Sequence, residues 1–284
     1  AEDHRDMAFA VNAEGPALLG EACSELDIKI IHISTDYVFD GKGNIPHTED
    51  AVPNPISEYG ASKLEGEARL LDRCPSAMIF RASWLYSTQG HNFYLTMRRL
   101  GEEKDELTVV NDQVATPTYA RVLARDLLDL LHRWQSDESL WSGGIYHYSH
   151  DGEASWYDFA ASIFEYSEIN CAVHPVSSDQ FPTKAARPAY SKMANGKIQK
   201  VLGIYTTLHS LFRARLIHKL PNGLMSEVSA TQVKLIAVLW MRFIFVIPWG
   251  NYLSVPVINS SHRMDQPMLK FCSKRIKSVW QIMI

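Results

Sequence analysis

The residues best placed to do chemistry are Thr35, Tyr59 and Lys63, which lie in the stretches Ser34-Thr35-Asp36-Tyr37-Val38-Phe39 and Tyr59-Gly60-Ala61-Ser62-Lys63. Residues four apart share a helix face, so the Tyr59 phenol and the Lys63 ammonium can address one bound molecule. Hydride delivery to a ketone leaves an alkoxide that needs a proton, and a phenol with an ordinary pKa of about 10 gives one up reluctantly at neutral pH. A neighbouring lysine is expected to lower the pKa of Tyr59, while Thr35 donates a hydrogen bond to the same carbonyl oxygen. The chemistry in prospect is carbonyl reduction, with Thr35, Tyr59 and Lys63 as its catalytic set.

A Tyr-x-x-x-Lys pair alone arises by chance on many amphipathic helices, so its surroundings decide. Residues 28–33 form a largely apolar, β-branched run of buried-strand type that empties into the polar Ser34-Thr35-Asp36. Open α/β sheets place their ligands at such carboxyl ends of strands. The wider pattern predicts a helix over residues 4–25, a strand at 28–34, the Tyr-Lys helix at 57–72 and a strand at 77–83. A helix at 91–103, a short strand at 107–110, a strand at 144–149 and helices at 118–134 and 156–167 follow. Helices and strands that alternate in this way predict an α/β fold built on a parallel sheet.

Six segments occur in one order: HISTDYVFDGKG, PISEYGASKLEGE, FRASWLYS, NFYLTMRRL, VVNDQVATPTYARVLARDL and GIYHYSHDGEASWYDFAASIF. Over residues 1–204 the chain thereby resembles the dTDP-4-dehydrorhamnose reductases, which are extended short-chain dehydrogenases/reductases. The resemblance implies a Rossmann-like parallel sheet with helices on both faces and a small substrate-binding subdomain. It implies reduction of the C4 keto group of dTDP-4-dehydro-L-rhamnose by NADPH or NADH to give dTDP-L-rhamnose. Two other readings of the same resemblance stay open. One is another nucleotide-sugar epimerase or dehydratase with the same Tyr-Lys pair, and the other is a non-catalytic regulatory subunit of methionine adenosyltransferase.

The resemblance also assigns further residues. Tyr59, Lys63, Ser34 and Ser83 would contact the cofactor, with Lys63 as ribose anchor, and Asp36, Tyr37, Trp84, Asn92 and Arg187 would line the dTDP-sugar. Each has a plainer reading beside it. Trp84 could be a core aromatic, Asp36 and Tyr37 turn residues, Asn92 a helix cap and Arg187 a solvated charge. Asn12, which the family places near the active site, could equally make a buried structural hydrogen bond.

A dinucleotide-binding reductase needs glycines in its first βα turn so that the backbone can approach the pyrophosphate, and no G-x-G-x-x-G occurs here. The opening AEDHRDMAFAVN resembles the family just after its fourth strand. The expectation is therefore an N-terminally truncated fold, short by roughly 60–80 residues of a Rossmann half. Residues 1–204 carry a formal charge of −12 and residues 205–284 one of +8, with Glu227 and Asp265 as the only acids of that second stretch. This break makes residues 205–284 an unassigned basic and apolar tail, read as an out-of-frame segment in preference to an appended module.

The overall charge of −4 sums two unlike parts, so it does not point to nucleic acid. The apolar run at residues 235–247 is shorter than the roughly 20 residues a spanning helix needs, so no membrane partner is expected. Cys23, Cys74, Cys171 and Cys272 have neither C-x-x-C spacing nor disulfide-scaffold density, which fits reduced thiols in the cytoplasm. The histidines form no H-E-x-x-H or similar metal set, so no metal site is expected. A homodimer stays open.

Overall fold

The structure, a computed structural model, describes residues 1–206. The chain opens with a helical arm: α1 (Arg5–Phe9), a π-helical turn (Ala10–Glu14) and α2 (Gly15–Glu25). Pro16 gives the π turn a physical reason. It has no N–H for the carbonyl of Asn12, and its ring crowds that carbonyl, so the helical ladder slips to a wider turn. Next come β1 (Ile31–Thr35), a 3-10 turn (Asp36–Val38), α3 (Glu58–Arg73), β2 (Met78–Ala82), β3 (Leu85–Tyr86) and α4 (Phe93–Glu103). They are followed by β4 (Glu106–Val110), β5 (Val114–Ala115), β6 (Thr118–Tyr119), α5 (Ala120–Ser136) and β7 (Gly144–Tyr148). The last described elements are β8 (Ala154–Ser155), α6 (Trp156–Ser167), β9 (Ala172–Val176) and α7 (Gly196–Leu202).

The central sheet is parallel, in the order β1-β2-β7, with Thr35 beside Ala82 and Ala82 beside Tyr148. Its strands are buried on both faces, as parallel strands must be. One face carries Ile31, Ile33, Met78, Phe80, Tyr146 and Tyr148 against Leu123, Leu127 and Leu130 of α5 and Ile198 and Leu202 of α7. The leucines of α5 recur every three or four residues, and burying each stabilises the fold by about 1.5–3 kcal/mol relative to exposure. The other face packs Ile79 on Cys23 of α2 and Leu70 of α3. Helices therefore cover both faces, as expected for a Rossmann-like fold.

The helical arm and α3 meet very closely. A Cβ at Gly66 would lie 1.9 Å from the carbonyl oxygen of Asn12, so only glycine lets the π turn rest on α3. Gly60 plays the same part at the other end of the helix, where a Cβ would meet the Tyr37 carbonyl oxygen at 2.1 Å.

The placement of residues 106–110 corrects the simple alternation read from the sequence. This strand does not join the central sheet but pairs in parallel with β9 in a sheet of its own. Strand β9 reads Ala-Val-His-Pro-Val and is mostly exposed, so neither apolar alternation nor flanking signals marked it. Met97, Val109, Tyr119, Phe159, Ile163 and Phe164 form a second core there, built on α4 and α6. Helix α6 starts on a capping box in which the Ser155 side chain and Asp158 satisfy each other's backbone N–H groups. Of the basic and apolar tail expected at residues 205–284, only Tyr205 and Thr206 fall within the described residues.

Candidate active site

The site forms where the carboxyl end of β1 meets the first two turns of α3. Ser57 caps that helix, its hydroxyl accepting from the Gly60 N–H at 3.1 Å, and so sets where Tyr59 enters. The Asn12 side chain donates to the Ser62 hydroxyl at 3.0 Å, and Ser62 donates to the Tyr59 carbonyl at 2.9 Å. Asn12 thus makes a structural bond that steadies the helical turn carrying both Tyr59 and Lys63.

Two contacts join strand and helix like rungs. The Thr35 hydroxyl lies near enough to the Tyr59 phenol to pull its pKa down against burial. One helical turn on and three residues back along the strand, Lys63 Nζ lies 3.1 Å from His32 Nε2 and donates to the Ile33 carbonyl at 2.8 Å. The structure thus brings together the three residues singled out as catalytic. It corrects how they interact. Burial raises the Tyr59 phenol to about 12, with Thr35 pulling the other way and the Asp36 charge adding to the rise. The expected lowering by Lys63 is not seen: burial sets the direction, and the Lys63 ammonium is turned onto His32 and the Ile33 carbonyl of β1. Lys63 is itself pushed down to about 8 by burial, while Glu67 favours its charged form.

Glu67 belongs to a buried pair. Arg81 of β2 reaches it in bidentate fashion, Nε to Oε1 at 3.0 Å and Nη2 to Oε2 at 2.6 Å, with both side chains 2% exposed. This pair ties α3 to the middle strand beneath the site. The Arg81 guanidinium also stacks over Phe39 at 5.3 Å.

The other candidates divide. Ser34 Oγ is buried at the end of β1 with no hydrogen-bond partner among the described residues. Ser83 is turned inward instead, its hydroxyl donating to the Thr116 carbonyl at 2.7 Å. Asp36, expected beside the sugar, is buried and internal: Ser191 donates to Oδ2 at 2.5 Å and Thr35 to Oδ1 at 3.2 Å. Burial raises its carboxyl to about 6, against those two bonds. Tyr37 packs edge-on to Tyr59 with ring centres 5.8 Å apart. Its phenol is raised to about 12 by burial and Asp36, while the exposed Arg187 is near enough to pull it down.

Trp84 follows β2 with φ at +43°, a left-handed conformation that a bulky residue rarely adopts. Its indole lies flat on that of Trp156, with centres 3.4 Å apart and planes 7° from parallel. The Trp156 Nε1 donates to Gln113 at 3.2 Å. Asn92 acts as the cap of α4, accepting from the Leu95 N–H at 3.2 Å and donating to the Ser87 and Gln89 carbonyls at 3.0 and 3.1 Å. Those bonds give Asn92 the capping role and use both of its amide N–H donors.

Sequence reasoning missed His32, Ser191 and Trp156. Only His32 left a signal, as a polar residue inside an apolar strand, whereas the other two are brought in by folding from more than 70 residues away.

The model of the RmlD substrate binding domain matches residues 1–219. A dTDP-4-dehydrorhamnose reductase of Sinorhizobium fredii is 43% identical over 208 residues, covering 72% of this chain and 70% of the relative. The crystal structure of a dTDP-4-dehydrorhamnose reductase from Clostridium acetobutylicum superposes with a TM-score of 0.70 at 38% identity, over 76% of this chain and 75% of that one. The Bacillus anthracis enzyme of the same name, solved in complex with NADP, gives 0.68 at 36% identity over the same shares. With its strand-end threonine, Tyr-Lys helix and second core in place, the chain belongs to the RmlD substrate binding domain family.

Proposed function

We propose that this chain reduces the C4 keto group of dTDP-4-dehydro-L-rhamnose to give dTDP-L-rhamnose. The observation that carries this is the junction of the carboxyl end of β1, which ends on Thr35, with the helix that bears Tyr59 and Lys63, Lys63 being bonded to the same strand. The names of its relatives agree, and the Bacillus anthracis relative holds NADP.

Bound NADPH or NADH would supply the hydride. The residues present fit the nicotinamide end of such a cofactor, though no G-x-G-x-x-G turn for its pyrophosphate occurs in the sequence: Ser34 Oγ is a buried hydroxyl without a partner among the described residues, and Lys63 donates to the neighbouring Ile33 carbonyl. Tyr59, with its phenol at about 12, is fully protonated at neutral pH and gives its proton to the alkoxide, a much stronger base. Thr35 would turn its hydroxyl proton from Asp36 Oδ1 to the same oxygen and polarise it by hydrogen bonding. Lys63, at about 8, is mostly an ammonium at neutral pH, and by donating to the Ile33 carbonyl it ties the helix that carries Tyr59 to β1. Trp84 offers a flat apolar face to the deoxysugar, and Arg187 a fork of donors suited to its diphosphate.

The test is consumption of NADPH or NADH by the full chain with dTDP-4-dehydro-L-rhamnose, alongside Tyr59→Phe. The variant is expected to lose roughly 10²–10⁴-fold in kcat with cofactor affinity nearly unchanged. Turnover near that of the parent would take Tyr59 out of the mechanism. An epimerase would instead interconvert sugars with no net use of reductant.

A further inference from the structure

We propose that His32 is the positioning residue of this site: its Nε2 lone pair holds the Lys63 ammonium against β1, and so keeps Tyr59 in register with Thr35. The proposal rests on the reductase reading for its effect on turnover, but not for the contact itself.

The geometry supports this in three ways. First, Lys63 is 2% exposed and His32 4%, so water cannot replace a lost partner without cost. Second, an ammonium has only donors, so at 3.1 Å His32 must accept through Nε2 and carry its ring proton on Nδ1. Burial and the Lys63 charge both hold His32 far below its usual range, which keeps it neutral and able to accept. Third, His32 and Thr35 sit on one strand while Lys63 and Tyr59 sit on one helix, so the two contacts are adjacent rungs of a single strand–helix junction. Shifting the lower rung shifts the upper one. Misplacement by about 1 Å at such a junction is enough to cost turnover heavily.

His32 faces Lys63 from β1, and Glu67 comes from the same helix as Lys63, Glu67 being shared with Arg81 of β2. The helical arm places its charged groups farther out along α3, where Arg5 pairs with Glu58 and Glu14 with Arg69. Between those ends it offers the neutral Asn12.

The experiment labels lysine and histidine with ¹⁵N in the full chain and follows Lys63 Nζ and the His32 ring by NMR. In wild type, His32 should keep the Nδ1–H tautomer throughout the neutral range, and an Nε2–H tautomer would overturn the proposal without any variant. His32→Gln retains an acceptor near the Nε2 position and should leave the Lys63 titration close to wild type. His32→Leu should lower it by about one to two pH units, the worth of one hydrogen bond to a charged donor. In an active chain the alkaline limb of kcat should move by the same amount in His32→Leu and return in His32→Gln. Equal titration of Lys63 in wild type and both variants, or an equal shift in both variants, would refute the role. A chain with no reductase activity would strike the proposed function alone, since the NMR titration needs no substrate.

Discussion

Replacing Glu67 with Gln should be the most damaging single change to stability beneath the site. Its carboxylate takes three hydrogen bonds from Arg81, at 3.0, 3.2 and 2.6 Å, and neither side chain is more than 2% exposed. Neutralising it leaves a guanidinium buried between α3 and the sheet without a counter-charge, and Arg81 Nη1 already lacks a partner among the described residues. Breaking a buried pair from one side typically costs about 3–5 kcal/mol, because the remaining charge has been taken out of water. For a folded unit of this size that is a fall in Tm of roughly 6–20 °C. The double variant Glu67→Leu, Arg81→Met removes both charges and fills a similar volume, so it should recover most of the loss. Calorimetry or urea denaturation of the three proteins reads the difference. A cost below about 1 kcal/mol for Glu67→Gln, or a double variant no better than the single, would mean that the pair is hydrated and that the reasoning fails.

Trp84→Ala is expected to raise KM for the sugar nucleotide roughly tenfold, about 1.4 kcal/mol of lost stacking, with cofactor affinity unchanged. Steady-state kinetics and cofactor titration check this, and equal losses would return Trp84 to a core role. Asp36→Asn should raise Tm at pH 8 and change it little at pH 4. The folded carboxyl is raised from 3.8 to about 6, so its ionisation costs the fold nothing below the first value and about 3 kcal/mol above the second. A melting series against pH decides, and the same shift at both pH values would trace the effect to packing instead of charge.

Much of this molecule was legible in the chain itself. The buried run into Ser34-Thr35 and the helices read at 57–72, 118–134 and 156–167 are local signals, since each depends on residues within a turn or two of one another. The pairing of Tyr59 with Lys63 is of the same kind, because four residues along a helix fix a shared face regardless of what surrounds it. What the chain could not state is what each group meets across the fold. The direction of the Tyr59 shift depended on how much desolvation burial imposes. That is a property of everything packed around the ring, and it reversed the change that helix spacing alone implied. In the same way only folding set Ser191 against Asp36, Glu67 against Arg81, Trp156 against Trp84 and His32 beneath Lys63. Spacing within an element is set by backbone geometry and can be read directly, whereas contacts between elements are set by how helices and sheet share one buried volume, and these tune the charges and angles of the site.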